Sequence, residues 1–489
     1  MTRAPFDAIV IGSGAGGAAA AYQLVRRGLR VALLEKGLRL PSDGSTLDIR
    51  RVVHQGEFLS REAWSDSAGR RIVPEEHFNL GGKTKWYGAA LLRFSPAEFG
   101  ADPEHACLPW PIAYEHLEPY YEEAEQLLSV RHFAIEPDLS RIVHRISGPG
   151  SEWRAESMPM GLARAIGHDR AEASHFDGFA SARGLKSDAE RSLLSRIMGD
   201  PRLTLLVGTE AAELLGDPQQ PARIVGVRTG DGRELLAPCV LLGAGAMHSP
   251  RLLQRYLVAT NLDTTLPCAA QVGRNLKLHL LTAMVAVSAT RKTDLIRKTI
   301  VLLNQHFAHS SVQPLGFDSE LIATLIPRFV PRTVARLIGS RAYGFFLQTE
   351  DGSDPRNRVS LPSSAGALPT LDYAAARTPA ASAEHRRFTR ALQIALAHAG
   401  MISFTKRIGI TGTAHVCGTL VCGTNPAQSV VAGDGAVHGM RGLYVVDGSV
   451  LPRSSRVNPA LTIYAWGLRV GDLLASHLTA TSRSHAATV

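Results

Sequence analysis

The chain has 489 residues, 45% hydrophobic and 20% charged, the balance of a globular protein large enough to bury a core without disulfides or metals. Its net charge is +9, but the arginines are scattered and no basic stripe is interleaved with aromatics, which argues against a nucleic-acid partner. No apolar run is long enough to cross a bilayer, and the five sparse cysteines (Cys107, Cys239, Cys268, Cys417 and Cys422) do not make a disulfide framework.

Residues 6–11 (FDAIVI) form a short β-rich run, entered without the charged, apolar and cleavable pattern of a secretory leader, so a cytoplasmic protein off the membrane is expected. Gly12-Ser13-Gly14-Ala15-Gly16-Gly17 follows. An alanine- and leucine-rich stretch, 18–27, then closes at Gly28 as a helix does. Residues 30–34 (RVALL) make a second strand, ending at Glu35. Residues 38–76 read as polar and irregular, and 78–92 as a second glycine-rich segment. Residues 113–128 read as one helix started by Pro111. Strands are expected at 203–207, 222–229 and 239–243, a turn at 271–275, and further strands at 282–288 and 342–349, with a second sheet between about 276 and 400. An amphipathic helix over 380–399, a buried-type strand at 443–447 and a closing helix over 459–478 complete the pattern. The residues after Ala480 are small and polar and are expected to form a disordered tail.

Strand, glycine turn, helix, strand and acid make a complete βαβ unit. In the spacing Gly12-x-Gly14-x-x-Gly17 the first glycine permits the tight turn, the second lets a pyrophosphate approach the backbone, and the third lets helix pack on strand. The pyrophosphate then meets the free N–H groups of the helix N-terminus. Glu35 lies 23 residues beyond Gly12, where an acid takes ribose hydroxyls and disfavours a 2′-phosphate. This fingerprint alone does not separate FAD from NAD. Cys417 and Cys422, with His415 beside them, raise the question of zinc. No second ligand cluster follows and a closed site needs four ligands, so no metal is expected.

Four further segments carry a resemblance. They are Asn79-Leu80-Gly81-Gly82-Lys83-Thr84-Lys85-Trp86-Tyr87-Gly88-Ala89, Leu242-Gly243-Ala244-Gly245-Ala246-Met247-His248-Ser249-Pro250, and Val272-Gly273-Arg274-Asn275-Leu276 with His279. The fourth runs from His415-Val416-Cys417-Gly418-Thr419 through Leu443-Tyr444-Val445-Val446-Asp447-Gly448-Ser449 to Val457-Asn458-Pro459-Ala460-Leu461-Thr462. Collinear over nearly the whole chain, they resemble the glucose–methanol–choline (GMC) family of FAD-dependent oxidoreductases. Trp110-Pro111-Ile112-Ala113-Tyr114 and Leu117-Glu118-Pro119-Tyr120-Tyr121 resemble its bacterial sugar- and polyol-type branch.

The resemblance implies an α/β fold: a Rossmann-like FAD-binding domain with a discontinuous, α+β substrate-binding domain on an antiparallel sheet. The expected division is FAD-binding parts at 1–110, 201–275 and 411–480, cap segments at 111–200, the substrate domain at 276–410 and a tail at 481–489. It implies FAD contacts from Gly12, Gly14, Ala15, Gly17, Glu35, Gly81, Gly82, Thr84, Tyr87, Gly88, Ala211, Ala244, Gly245, Asp447, Gly448, Asn458 and Pro459. No histidine lies between Gly82 and Trp86, and His77 falls just before that segment, so non-covalent FAD is expected.

The implied reaction is oxidation of an alcohol to a carbonyl, with hydride passing to flavin N5. His415 is the implied base, since a neutral imidazole can take the hydroxyl proton, and Asn458 the non-titrating donor to the substrate oxygen. Sugars, glycosides and polyols are the implied substrates, with oxygen, a quinone or another carrier as acceptor; the alternative within this class is a tailoring dehydrogenase acting on an aminoglycoside-type or other secondary-metabolite glycoside. The oligomeric state stays open. Where many relatives carry Cys-Arg-x-Gly, this chain has Leu420-Val421-Cys422-Gly423. Two other readings stand beside this one: a lyase using FAD as structure, and a non-catalytic flavin-binding subunit. Gln305, His306, Phe345, Phe346 and Gln348 are the substrate-domain candidates, Phe345 more readily as core than as pocket.

Overall fold

The computed structural model describes residues 5–486 apart from 328, 363 and 365. The chain runs through Ala8–Ile11 (β1), Ala15–Arg26 (α1), Val31–Glu35 (β2), Glu118–Leu127 (α2), Trp153–Ser157 (β3), Leu203–Val207 (β4), Val240–Leu242 (β5) and Ser249–Ala259 (α3). It continues through Leu280–Val287 (β6), Ile300–Asn304 (β7), Ser310–Pro314 (β8), Ala342–Thr349 (β9), Pro379–His398 (α4), Ile402–Arg407 (β10), Leu443–Val445 (β11) and Ala460–Ala486 (α5), among shorter elements.

Strands β1 and β5 are unbroken apolar runs, β2 is one up to its last residue, Glu35, and every residue in the three is buried. Such runs suit a parallel sheet covered on both faces. They sit in a five-stranded parallel sheet of order β11-β5-β1-β2-β4. One sheet thus draws strands from three separated stretches of chain. Its cover explains the composition of α1. Ala18–Ala21 are fully buried, and a Cβ at Gly471 of α5 would stand 3.0 Å from the Ala20 carbonyl oxygen. Small side chains let α1 and α5 lie almost backbone to backbone, at interior packing density.

The second sheet is antiparallel, six-stranded, in the order β10-β6-β9-β8-β7-β3. Alternation along β9 sorts its side chains. Tyr343, Phe345 and Leu347 join Phe388, Leu392 and Leu396 of α4 in one apolar cluster, while Phe346 takes the opposite face, as the two-residue period of a strand requires. The architecture is therefore α/β with an α+β second part.

Three expectations need correction. The helix read over 113–128 is a 3₁₀ turn, Tyr114–His116, followed by α2, because Pro119 lacks the N–H to continue one helix through that point and sits instead at a helix start. In the second sheet, strands β3, β7, β8 and β10 were not anticipated. β3 is an edge strand with exposed polar residues, and β8 (SSVQP) is polar yet wholly buried. The helix α5 runs to Ala486, through most of the stretch read as a disordered tail; residues 487–489 lie outside the described residues. Among the described residues no helix is long and apolar enough to cross a membrane.

Candidate active site

A cavity of about 810 Å³ runs from the carboxyl ends of β1 and β2 to the face of the antiparallel sheet. Gly12, Gly14, Ala15, Glu35, Gly82, Thr84, Tyr87, Gly88, Ala211, Ala244, Gly245, Asp447, Gly448 and Pro459 line it, together with His415 and Asn458. Gly17 and Gly81 stand behind this wall. A Cβ on Gly17 would collide with the Gly12 carbonyl, so its part is to let α1 meet β1. The Gly81 N–H donates to Ser13 Oγ at 2.9 Å, and its carbonyl accepts from Thr84 Oγ1 at 2.6 Å.

The nucleotide end fits a dinucleotide on three observations. Gly12 has φ +95°, open to glycine and costly for other residues. Gly14 has nothing within 4 Å of where a Cβ would be. It also caps α1 with no side-chain hydrogen bond and no acid in the first turn, so N–H groups and the helix dipole are left to an anion. Glu35 is buried, accepting from Ser13 N at 3.1 Å and Gly37 N at 2.8 Å. Burial raises its pKa, against those hydrogen bonds. Asp447 clamps two glycine turns: it accepts from Gly245 N at 2.8 Å, Ser449 N at 2.9 Å and the hydroxyls of Ser249 and Ser449. The part of Ser249 in this clamp was not read from the sequence, although it lies within a recognised motif.

At the other end, a two-residue antiparallel ladder joins Lys277–Leu278 to Val416–Cys417, pairing Leu278 with Val416. The next residues outward are His279 and His415, and their Nδ1 atoms stand 2.8 Å apart. The loop before α5 brings Asn458 Nδ2 to 3.2 Å from His415 Nε2, across 43 residues of sequence. Gln313 of β8 donates from Nε2 to Asn458 Oδ1, which is why a polar strand is buried there. Burial first, then the nearby His279, Lys298 and Lys83, hold His415 well below the ordinary imidazole pKa, so its imidazole is neutral at pH 7.

Lys298 and Asp177 form a buried ion pair at 2.8 Å on the cavity wall. A Cβ on Gly88 would collide with both. Neither lies in a recognisable motif, and sequence reasoning missed them. Of the five substrate-domain candidates only Phe346 lines the cavity. Phe345 is core. Gln348 is buried and donates to the Arg456 carbonyl at 3.0 Å. His306 is exposed, 3.0 Å from Glu152, with Gln305 beside it. Burial pushes the Cys417 thiol up to about 12 and also raises Cys422, and both pack in the core around the parallel sheet with Leu420. Leu420 and Val421, where this chain departs from many relatives, are buried and outside the cavity wall.

A family model described as FAD dependent oxidoreductase matches residues 7–274, and one described as GMC oxidoreductase matches 353–467. The chain is 29% identical to 6'''-hydroxyparomomycin C oxidase of Streptomyces lividus, over 98% of this chain and 93% of that protein. It is 27% identical to paromamine 6'-oxidase of Streptomyces fradiae, with the same shares covered. A solved structure of formate oxidase from Aspergillus oryzae superposes with a TM-score of 0.63 at 16% identity, covering 98% of this chain and 99% of that one.

Proposed function

Given that the chain belongs to the GMC family of FAD-dependent oxidoreductases, we propose that it oxidises a CH–OH group of an amino sugar or related glycoside, with His415 as base and Asn458 as hydrogen-bond donor. The observation that carries this reading is the meeting of His415 and Asn458 on the wall of the cavity whose far end is the glycine cradle. FAD, when bound, supplies the two-electron acceptor. The chain's own residues do the rest. His415 Nε2 takes the hydroxyl proton, and an Asn458 N–H donates to the oxygen as negative charge develops there. Gln313 fixes the Asn458 amide so that its N–H, not its carbonyl, faces that oxygen.

The substrate class rests on two supports. The Streptomyces relatives are named for paromamine and hydroxyparomomycin. The Asp177–Lys298 pair gives the wall acceptors and donors suited to hydroxyl and amino groups, which an apolar alcohol would leave unused. The relatives' designation as oxidases supports oxygen as electron acceptor. We place the protein in a reducing cytoplasm, to which five buried, unpaired cysteines are suited. We also propose the division at 110, 200, 275, 410 and 480, supported by the sheet each segment feeds.

The test is spectroscopic. The purified holoenzyme is mixed anaerobically with amino sugars, neutral glycosides, polyols and simple alcohols while the visible flavin band is followed. Bleaching by amino sugars or glycosides supports the proposal, and recovery on admitting air identifies oxygen as acceptor. A flavin that dithionite bleaches and no alcohol does would sink the redox reading. Acid precipitation should release the flavin into the supernatant; flavin staying with the pellet would show a covalent link.

A further inference from the structure

A continuous line of hydrogen bonds crosses the catalytic end. It begins at the Ser455 carbonyl, 2.6 Å from His279 Nε2. It continues from His279 Nδ1 to His415 Nδ1 at 2.8 Å, then from His415 Nε2 to Asn458 Nδ2 at 3.2 Å. A carbonyl oxygen can only accept, so His279 Nε2 carries a hydrogen. In a neutral His279 the other nitrogen, Nδ1, then has the lone pair and must accept. Its only partner in the line is His415 Nδ1, which must therefore carry the hydrogen. That leaves the His415 lone pair on Nε2, the nitrogen beside Asn458. His279 is buried, and burial lowers its pKa, which keeps it neutral.

We propose that His279 is a positioning residue for the reaction: pinned by the Ser455 carbonyl, it accepts the Nδ1–H of His415 and keeps the His415 Nε2 lone pair toward the substrate hydroxyl. The starting carbonyl is itself held firmly. Ser455 has φ +68°, in the left-handed region. Its N–H donates to Glu350 Oε1 at 3.1 Å, its hydroxyl bonds Glu98 Oε1, and Arg453 forks onto Glu350 at 2.8 and 2.6 Å. Strain of this kind persists only where the surroundings over-determine it. When His415 takes the proton on Nε2, its Nδ1–H still points at the His279 lone pair, so the new charge meets an acceptor. A carboxylate in place of His279 would do the same but would also raise the basicity of His415 before reaction. A neutral acceptor orients the base without protonating it.

The proposal rests on His415 being the base, so its test includes a measurement independent of turnover. In the unreacted holoenzyme with ¹⁵N-labelled histidine, the His415 signals, assigned by their loss in His415→Ala, should report hydrogen on Nδ1 and none on Nε2. His279→Leu should mix or invert that tautomer, keep FAD, and slow flavin reduction by about 100-fold, the scale of losing correct base orientation. His279→Asn places an amide oxygen near the lost Nδ1 and should recover to within about tenfold of the parent. An Nε2–H tautomer in the parent would overturn the proposal, as would parent-like reduction by His279→Leu. Should His279→Leu fail to fold, the parent tautomer and the His279→Asn rate decide alone. If no alcohol reduces the parent while the tautomer is as stated, the proposed function fails and the orienting contact stands.

Discussion

At the nucleotide end, the cavity is walled by backbone: glycine turns at the ends of parallel strands, closed by contacts where a Cβ would not fit. At the opposite end it is walled by side chains, His415, Asn458, Phe346, Lys298 and Asp177, brought from five distant stretches of chain. The first end leaves no room for a side chain at Gly12, Gly16 or Gly17, and its few functional side chains, Glu35 and Asp447, serve to hold its turns. The second asks for particular functional groups and tolerates variation in the backbone that carries them. Cofactor retention and substrate oxidation should therefore be separable by mutation.

The largest effect should come from breaking the backbone end. Gly12→Ala puts a side chain at φ +95° against the Gly243 carbonyl, and the purified protein should carry no FAD, read as the loss of visible absorbance. A yellow Gly12→Ala protein would contradict the division. Next, His415→Ala should keep FAD and lose on the order of 10³-fold in the rate of flavin reduction. Asn458→Ala should lose about 10²-fold, mostly in kcat, because its hydrogen bond strengthens as charge builds. A loss confined to KM would make Asn458 a ground-state contact instead. The pH profile follows from the depressed His415 pKa: a folded-state pKa below 6.5 means the base stays neutral as pH falls through 6.5. Reduction rates should be flat from about pH 8 to below 6.5 and fall only in more acid solution; halving near 6.5 would show an unperturbed imidazole. The smallest effect belongs to Phe346→Ala, expected to raise KM a few-fold by enlarging the pocket, by about the worth of some buried methylene groups.

What could be read in advance follows the same division. Gly12, Gly14, Gly17 and Glu35 announce themselves because backbone geometry imposes fixed spacing on neighbouring residues. His415 and Asn458 were legible only through the family resemblance, since nothing local in either segment says they meet. Lys298, Asp177 and Gln313 were not legible at all. Their partners are set by sheet register and loop course, which depend on long-range pairing. Strand β8 shows why: its serines and glutamine look like a surface loop until Arg456, Glu384 and Asn458 are placed to bond them. Phe345 and Phe346 differ in role by one residue, and only the register of β9 decides which faces the cavity.

The parallel sheet has a consequence for synthesis. Its middle strands, β1 and β5, come from the first half of the chain, but β11 and the helix that covers α1 come from residues 443–486. While the ribosome is still adding those residues, the apolar flank of β5 and the small-residue face of α1 have no cover. The nucleotide cradle cannot be completed as it emerges. The nascent protein must shield that surface or be shielded by a chaperone until the last strand arrives, so synthesis of residues 443–486, rather than emergence of the glycine fingerprint, sets the earliest moment at which FAD can be captured.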